Sequence, residues 1–254
     1  MMEQILIVIP ARYASTRFPG KPLAMIAGKS MIQRVWERCG AATCSSRVVV
    51  ATDDERIRDE VLRFGGEVFM TPSGITSGTE RIACLAAQEH ADIYVNVQGD
   101  EPLLPPFTID ATVSALRENP GADIATASCP LAGEEGISSP DTVKLVTDAA
   151  GFALYFSRAG IPYQRHDGNA SPRDGVYRKH IGIYVYRRAA LLRFSALPPS
   201  PLEQAERLEQ LRALENGMRI VVANVPADSQ AVDVPDDVRR VEALLRNTDK
   251  TSSN

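Results

Sequence analysis

Apolar residues recur along this chain in two rhythms. Short unbroken runs at Ile5–Ile9, Arg47–Ala51, Glu67–Met70 and Ile93–Val97 predict strands, most of them rich in β-branched residues. Between them, Met31–Cys39 and Gly78–His90 carry the three-and-four spacing of a helix, and another helix opens at Asp53 or Asp54, both good N-cap types. Strand and helix alternate, which predicts an α/β fold: a doubly wound, mostly parallel sheet with helices on both faces. Such sheets hold ligands at the carboxyl ends of their strands. The loops after Ile9, Ala51 and Val97 are therefore expected along one edge.

The second half is less regular. Val143–Thr147, Phe152–Phe156, Ile181–Tyr186 and Ile220–Val225 read as strands, and the polar, glycine-bearing Asp167–Asp174 as a mobile loop. Leu202–Asn216 is expected to be one helix with its apolar stripe at Leu202, Ala205, Leu208, Leu211 and Leu214, stopping at Gly217. A closing helix spans Pro235–Leu245, with proline at its first position. Without an internal repeat or a linker-like stretch, the expectation is a single domain over residues 1–246. It would carry a smaller inserted substrate-binding or dimerisation subdomain and a disordered tail at 247–254.

Composition narrows the function classes. The chain has 254 residues, 44% hydrophobic and 24% charged, with a net charge of −4. That balance supports a full core and argues against broad nucleic-acid or anionic-membrane binding. The apolar start lacks a basic region and a cleavage site, so a core strand is expected there and no signal peptide. No run reaches the ~18 apolar residues of a membrane span. Four cysteines show neither C-x-x-C pairing nor metal spacing, which suits reduced thiols in a cytoplasm.

Candidate chemistry begins at Ile5–Pro22, ILIVIPARYASTRFPGKP. A strand breaks at Pro10 into a loop with Arg12, Arg17 and Lys21, two hydroxyls (Ser15, Thr16) and Gly20. Arginine forks match phosphate oxygens in pairs and lysine adds a point charge, so the loop suits a polyphosphate. Gly28-Lys29-Ser30 resembles the end of a Walker A loop, but position 23 is leucine, so it reads as a turn into a helix. Asp100 opens Asp-Glu-Pro at a strand end. It suits a hard divalent cation facing the phosphates, or alternatively a turn held by backbone amides. Asp233, just before the Pro235 helix, offers a second carboxylate. Ser77 or Thr79 reads first as a helix cap, and alternatively as part of an anion site at the free amides of a helix start. Arg81 in that first turn opposes the helix dipole, which points to a ligand. Along the strand holding His180, alternation puts Tyr184 and Tyr186 on one face with the histidine, opposite Ile181, Ile183 and Val185. A His/Tyr/Tyr face suits a polyhydroxylated ligand. Glu209 and Gln210 lie off the leucine stripe, and Glu203 and Glu206 read as solvated.

Taken together, IPARYASTRFPGKPL, ATDD, SGTER, VNVQGDEP, ALYFSRAGIPY, KHIGIYVYR, LEQLR and VDVPDD resemble the 3-deoxy-D-manno-octulosonate (Kdo) cytidylyltransferases over most of the chain. The first motif is shared, more loosely, with sialic-acid cytidylyltransferases; VNVQGDEP, LYFSRA and H-x-GIY are more specific. The resemblance implies a nucleotide-diphospho-sugar transferase sheet, a homodimer, CTP and Kdo as substrates, and Mg²⁺ dependence. By matching positions it implies Arg12, Arg17 and Lys21 at the CTP phosphates and Ser77 and Arg81 near the nucleotide. Gln98 then lies between nucleotide and sugar, Asp100 and Asp233 hold the metal, and Arg158, His180, Tyr184, Glu209 and Gln210 bind the sugar acid. Lys21, Arg17, Asp100 and Asp233 would carry catalysis. Ala231 departs from the pattern, since relatives often have glycine there. The alternatives are a cytidylyltransferase for 8-amino-Kdo or a sialic acid, and a catalytically silent nucleotide-binding protein.

Overall fold

The computed structural model describes residues 3–14, 18–44, 47–165 and 175–251, with side chains described to residue 246. The chain divides into two compact units, Met1–Ile109 with Ser229–Asn254, and Asp110–Asp228.

In the first unit the strands are β1 (Ile5–Ala11), a short hairpin of β2 (Met25–Ile26) and β3 (Lys29–Ser30), β4 (Arg47–Thr52), β5 (Glu67–Met70) and β6 (Ile93–Asn96). Helices α1 (Met31–Gly40), α2 (Glu55–Arg63) and α3 (Gly78–Gln88) connect them, each with a side-chain cap at its start: Ser30, Asp54 and Ser77 respectively. Asp54, not Asp53, thus opens α2. The four longer strands run parallel in the order β6-β1-β4-β5, with Val8 opposite Asn96 and Val49, and Val49 opposite Glu67. Every residue of β1 is buried, as a strand covered on both faces requires. The carboxyl ends of β1, β4, β5 and β6 consequently share one edge, as the alternation of elements implies.

Helix α4 (Pro106–Glu118) leads into the second unit, whose strands are β7 (Ile124–Pro130), β8 (Lys144–Thr147), β9 (Ala153–Ser157), β10 (Arg178–Arg187) and β11 (Ile220–Asn224). Its helices are α5 (Glu134–Ser138), α6 (Arg188–Ser195), α7 (Pro201–Glu206) and α8 (Gln210–Glu215). β11 pairs parallel with β7; β10 runs antiparallel to β7 and β8, and β8 to β9. The α/β, mostly parallel reading holds, with the mixed pairing confined to this smaller unit.

Two features of this unit depart from the sequence reading. The single helix expected over Leu202–Asn216 is two, because Arg207 adopts left-handed angles (φ 54°, ψ 48°) and ends α7. Leu202 and Ala205 are exposed, so the stripe is real only from Leu208 onward. The register along β10 also shifts, although the His180, Tyr184 and Tyr186 rings still adjoin in turn as alternation implies. Ile181 pairs with Ala127 and Tyr184 with Thr126, so Gly182 and Ile183 form a bulge. His180 and Tyr186 are buried along with Ile181, Ile183 and Val185, so burial does not separate the two sides of the strand.

The chain returns to the first unit through residues 229–234 and α9 (Pro235–Thr251). Its helical backbone continues through Thr251, beyond the boundary expected at 247. Val232 and Val241 pack with Ile26 and Met31 in a fully buried cluster, which pins this returning segment. The expected loop at Asp167–Asp174 lies outside the described residues, as does Arg17.

Candidate active site

The loop after β1 is shaped by its glycine. Gly20 sits at φ 71°, and a Cβ there would meet the Tyr13 ring at 3.1 Å. Its N–H donates to Tyr13 O at 3.0 Å, closing the loop before the short 3-10 turn Lys21–Leu23. Buried Pro22 anchors that turn and aims Lys21 back toward the end of β6. There the Lys21 ammonium donates to Asp100 Oδ2 at 2.6 Å and to Val232 O at 2.9 Å, and lies 3.9 Å from Asp233 Oδ1. One cation, both candidate carboxylates and a backbone carbonyl converge.

Neighbouring positions explain the convergence. A Cβ on Gly99 would come within 3.1 Å of Pro10 O, so glycine lets the Asp100 turn lie against the end of β1. Val232 N–H donates to Asp100 O at 2.9 Å, which brings Asp233 alongside. The cap of α9 falls to Asp237, whose Oδ2 accepts from Asp233 N and Val234 N at 2.8 and 3.0 Å. The Asp233 carboxylate is thus not the capping group. Ala231 is absent from the described non-glycine residues with positive φ, so its departure from glycine carries no backbone strain.

Arg12, Lys21, Arg81, Gln98 and Asp100 line a cleft of about 240 Å³ along this edge. Arg12 donates to Thr76 O at 3.3 Å and Gln98 to Asn96 Oδ1 at 3.3 Å. Arg81 is 3% exposed and bonded to Thr71 Oγ1, Ile75 O and Asp53, the last at 3.1 Å. A ligand is therefore not needed to account for a cation in the first turn of α3; Asp53 already answers it. Ser77 Oγ accepts from Glu80 N at 3.1 Å, so the capping reading holds there.

Two carboxylates gathered on one ammonium are a donor set that suits a hard divalent cation, with the ammonium standing where positive charge is wanted. Among the described residues, no group of three or more His, Cys, Asp or Glu side chains is arranged to hold a metal. Two protein ligands leave most of an octahedral shell to water and phosphate, which is how small hard cations are commonly held beside nucleotides.

The second unit gathers the other candidates. His180 Nε2 lies 2.9 Å from Thr126 Oγ1, with the ring against Phe156 (5.1 Å) and Tyr184 (5.5 Å). Burial, helped by the Lys179 charge, pushes the His180 pKa down to about 3, so the imidazole is neutral. Burial together with Tyr186 and Glu209 holds the Tyr184 phenol well above its usual range. The break at Arg207 places Glu209 at the N-cap of α8 and turns Gln210 inward. Gln210 is 6% exposed and its Nε2 has no hydrogen-bond partner among the described residues. A buried amide donor without an acceptor is an unpaid desolvation cost unless a ligand supplies one.

Arg158 is fixed by residues the sequence did not bring forward. Glu206, read as solvated, accepts from Ser157 Oγ at 2.6 Å and Arg158 N at 2.9 Å, while its carbonyl accepts from Arg158 Nε at 2.9 Å. Fully buried Lys144 donates to Ser139 O, Thr142 O and Arg158 O at 2.8, 2.6 and 2.5 Å. All three ammonium protons are used, although burial lowers its pKa. A lone charge inside the apolar run Val143–Val146 was the available signal. Arg158 Nη1 donates to Pro140 O, so the described hydrogen-bond partners of its guanidinium are both backbone carbonyls.

Comparison with known proteins shows the family. The cytidylyltransferase family model matches residues 6–220. The 3-deoxy-manno-octulosonate cytidylyltransferase of Syntrophotalea carbinolica is 54% identical over 95% of this chain and 98% of its own length, and that of Solibacter usitatus 50% over 97% and 96%. A solved structure of CMP:2-keto-3-deoxy-manno-octonic acid synthetase complexed with CTP superposes with a TM-score of 0.90 at 42% identity, covering 97% of this chain and all of the other. At 13% identity, a 4-diphosphocytidyl-2C-methyl-D-erythritol synthase from Anaerococcus prevotii (TM-score 0.61, 96% and 99% covered) shares the fold alone. The strand-edge cleft, the two gathered carboxylates and the near full-length likeness together place this chain in the cytidylyltransferase family, among the 3-deoxy-manno-octulosonate cytidylyltransferases.

Proposed function

We propose that this protein transfers CMP from CTP to Kdo, giving CMP-Kdo and pyrophosphate, with Mg²⁺ as its cofactor. The observation that carries the proposal is the meeting of Lys21, Asp100 and Asp233 at the carboxyl edge of a parallel sheet. Relatives named for this reaction and a CTP-bound structural neighbour support the same reading. A homodimer acting in the cytoplasm completes the proposal, on family resemblance.

The anomeric hydroxyl of the sugar attacks the α-phosphorus in line, the P–O bond to the β-phosphate breaks, and pyrophosphate departs while the hydroxyl proton is lost to solvent. In such transfers the protein contributes positioning and charge neutralisation more than covalent chemistry. Asp100 and Asp233 would hold Mg²⁺, which supplies Lewis-acid polarisation of phosphate oxygens. Lys21 and Arg12, with Arg17 from the same loop, place positive charge against the triphosphate and offset the charge that grows on the leaving group. Ser77 and Arg81 shape the nucleotide pocket, and Gln98 offers its amide to nucleotide or sugar. On the sugar side, the Arg158 guanidinium matches a carboxylate. Neutral His180, Tyr184, Glu209 and the unpartnered Gln210 amide supply hydrogen bonds to hydroxyls.

Pyrophosphate release with CTP and Mg²⁺ across Kdo, 8-amino-Kdo and a sialic acid tests the assignment. Kdo is expected to give the highest kcat/KM. Preference for either of the others would move the activity to that sugar, and CTP binding without turnover on any of the three would leave a silent nucleotide-binding protein.

A further inference from the structure

Lys21 touches the same two carboxylates that the proposed function gives to a divalent cation. Its Nζ is 2.6 Å from Asp100 Oδ2 and 3.9 Å from Asp233 Oδ1, and Val232 O accepts a third contact at 2.9 Å. The ammonium therefore lies against Asp100 and within ion-pair range of Asp233, engaging the two carboxylates that a metal held by both would need. A monovalent and a divalent cation cannot share them, since they would repel at contact distance in a partly enclosed cleft. Lysine is suited to leaving, because its charge rides on a flexible four-carbon stem while the backbone of the 3-10 turn stays anchored by buried Pro22.

We infer that Lys21 is a placeholder for the metal in the nucleotide-free protein, and that a divalent cation binds tightly only when the triphosphate draws the ammonium away. This rests on the reading of Asp100 and Asp233 as metal ligands. Nucleotide then acts twice on metal affinity: its phosphates supply ligands, and they give the Lys21 charge somewhere else to go. Without nucleotide the ammonium offsets one of the two carboxylate charges, which eases their mutual repulsion and disfavours capture of a metal ahead of CTP. Metal and nucleotide binding become interdependent through one side chain.

Electron paramagnetic resonance titration of the full-length, nucleotide-free protein with Mn²⁺ tests this. Wild type is expected to bind Mn²⁺ weakly, and Lys21→Met and Lys21→Gln each to bind one ion about tenfold more tightly or better, as removing a contact charge predicts. Adding Asp100→Asn to Lys21→Met is expected to abolish the gain. Arg12→Met removes a cation of the same cleft whose described hydrogen bond goes to Thr76 O, and is expected to change Mn²⁺ affinity by less than about twofold. Thermal unfolding identifies any variant that fails to fold, and the two Lys21 variants check each other. The inference is overturned if folded Lys21 variants bind Mn²⁺ no better than wild type, or if Arg12→Met gains as much as they do. If Asp100→Asn and Asp233→Asn leave Mn²⁺ binding in the presence of CTP untouched, the metal-ligand reading itself fails, and the inference with it.

Discussion

Thr126 has one hydroxyl proton and three polar neighbours: Ile183 O at 2.8 Å, Ile181 O at 3.3 Å and His180 Nε2 at 2.9 Å. Carbonyls only accept, so the proton goes to the bulge, most closely to Ile183 O, and the hydroxyl accepts from Nε2–H. This fixes the His180 tautomer and leaves Nδ1 as the acceptor. Because the folded pKa, about 3, lies below the ordinary 6.5, the unfolded chain binds the extra proton first as pH falls. The stabilisation is complete above pH 6.5 and is lost progressively from there toward pH 3, at up to about 1.4 kcal/mol per pH unit. Urea unfolding between pH 7 and 4 is expected to show a slope smaller by about one proton in His180→Gln than in wild type. Long-range ¹⁵N–¹H spectra are expected to show the neutral Nε2–H form from pH 8 to 5; a protonated ring at pH 6 would contradict the assignment. The sequence placed His180 beside Tyr184, and their rings do adjoin. It could not show the burial, because the ring's neighbours Thr126 and Phe156 come from strands distant in the chain.

The break between α7 and α8 is an element-scale device. Residues four apart share one face of a continuous helix, so a single helix would stack Gln210 on Glu206; the left-handed turn at Arg207 instead ends α7 with Glu206 on the Arg158 backbone and lets α8 start with Gln210 buried. A non-glycine residue in this conformation costs about 1 kcal/mol, and the Arg207 side chain is exposed. Arg207→Gly is therefore expected to stabilise the protein by about 0.5–1 kcal/mol in denaturant unfolding, and Arg207→Val to destabilise it by about 1–2 kcal/mol. The reverse order would mean that the turn is held by something other than backbone preference. Elements of the first unit were legible because each strand is a continuous apolar run and each helix begins at a side-chain cap. Here the leucine periodicity continued across a kink that no glycine or proline marked. The bulge in β10 did carry a mark, Gly182 inside a strand pattern, but the apolar run continues through it.

At the scale of the molecule, the residues proposed for nucleotide and those proposed for sugar fall mainly to different units: Arg12, Lys21 and Asp100 in the first, Arg158, His180 and Gln210 in the second. Gln210→Met removes a buried donor that has no partner among the described residues, so it is expected to leave stability unchanged or raise it by up to about 1–3 kcal/mol. In the same variant the KM for Kdo is expected to rise about tenfold or more, since a sugar oxygen loses its donor, while calorimetry shows CTP affinity unaltered. A matching loss of CTP affinity would contradict this division. The sheet edge was legible from the order of elements alone. The partnership of Asp233 with Lys21 was not, because no local pattern encodes a closure between distant segments; family resemblance supplied it. That closure has a consequence for biosynthesis. The carbonyl that receives Lys21 belongs to a residue 211 positions later, and Asp233 follows it. When the ribosome has made the early loop and Asp100, their last partner is still to come. A product terminated before Val232 lacks both that carbonyl and the Asp233 carboxylate, so it never assembles the two-carboxylate grip.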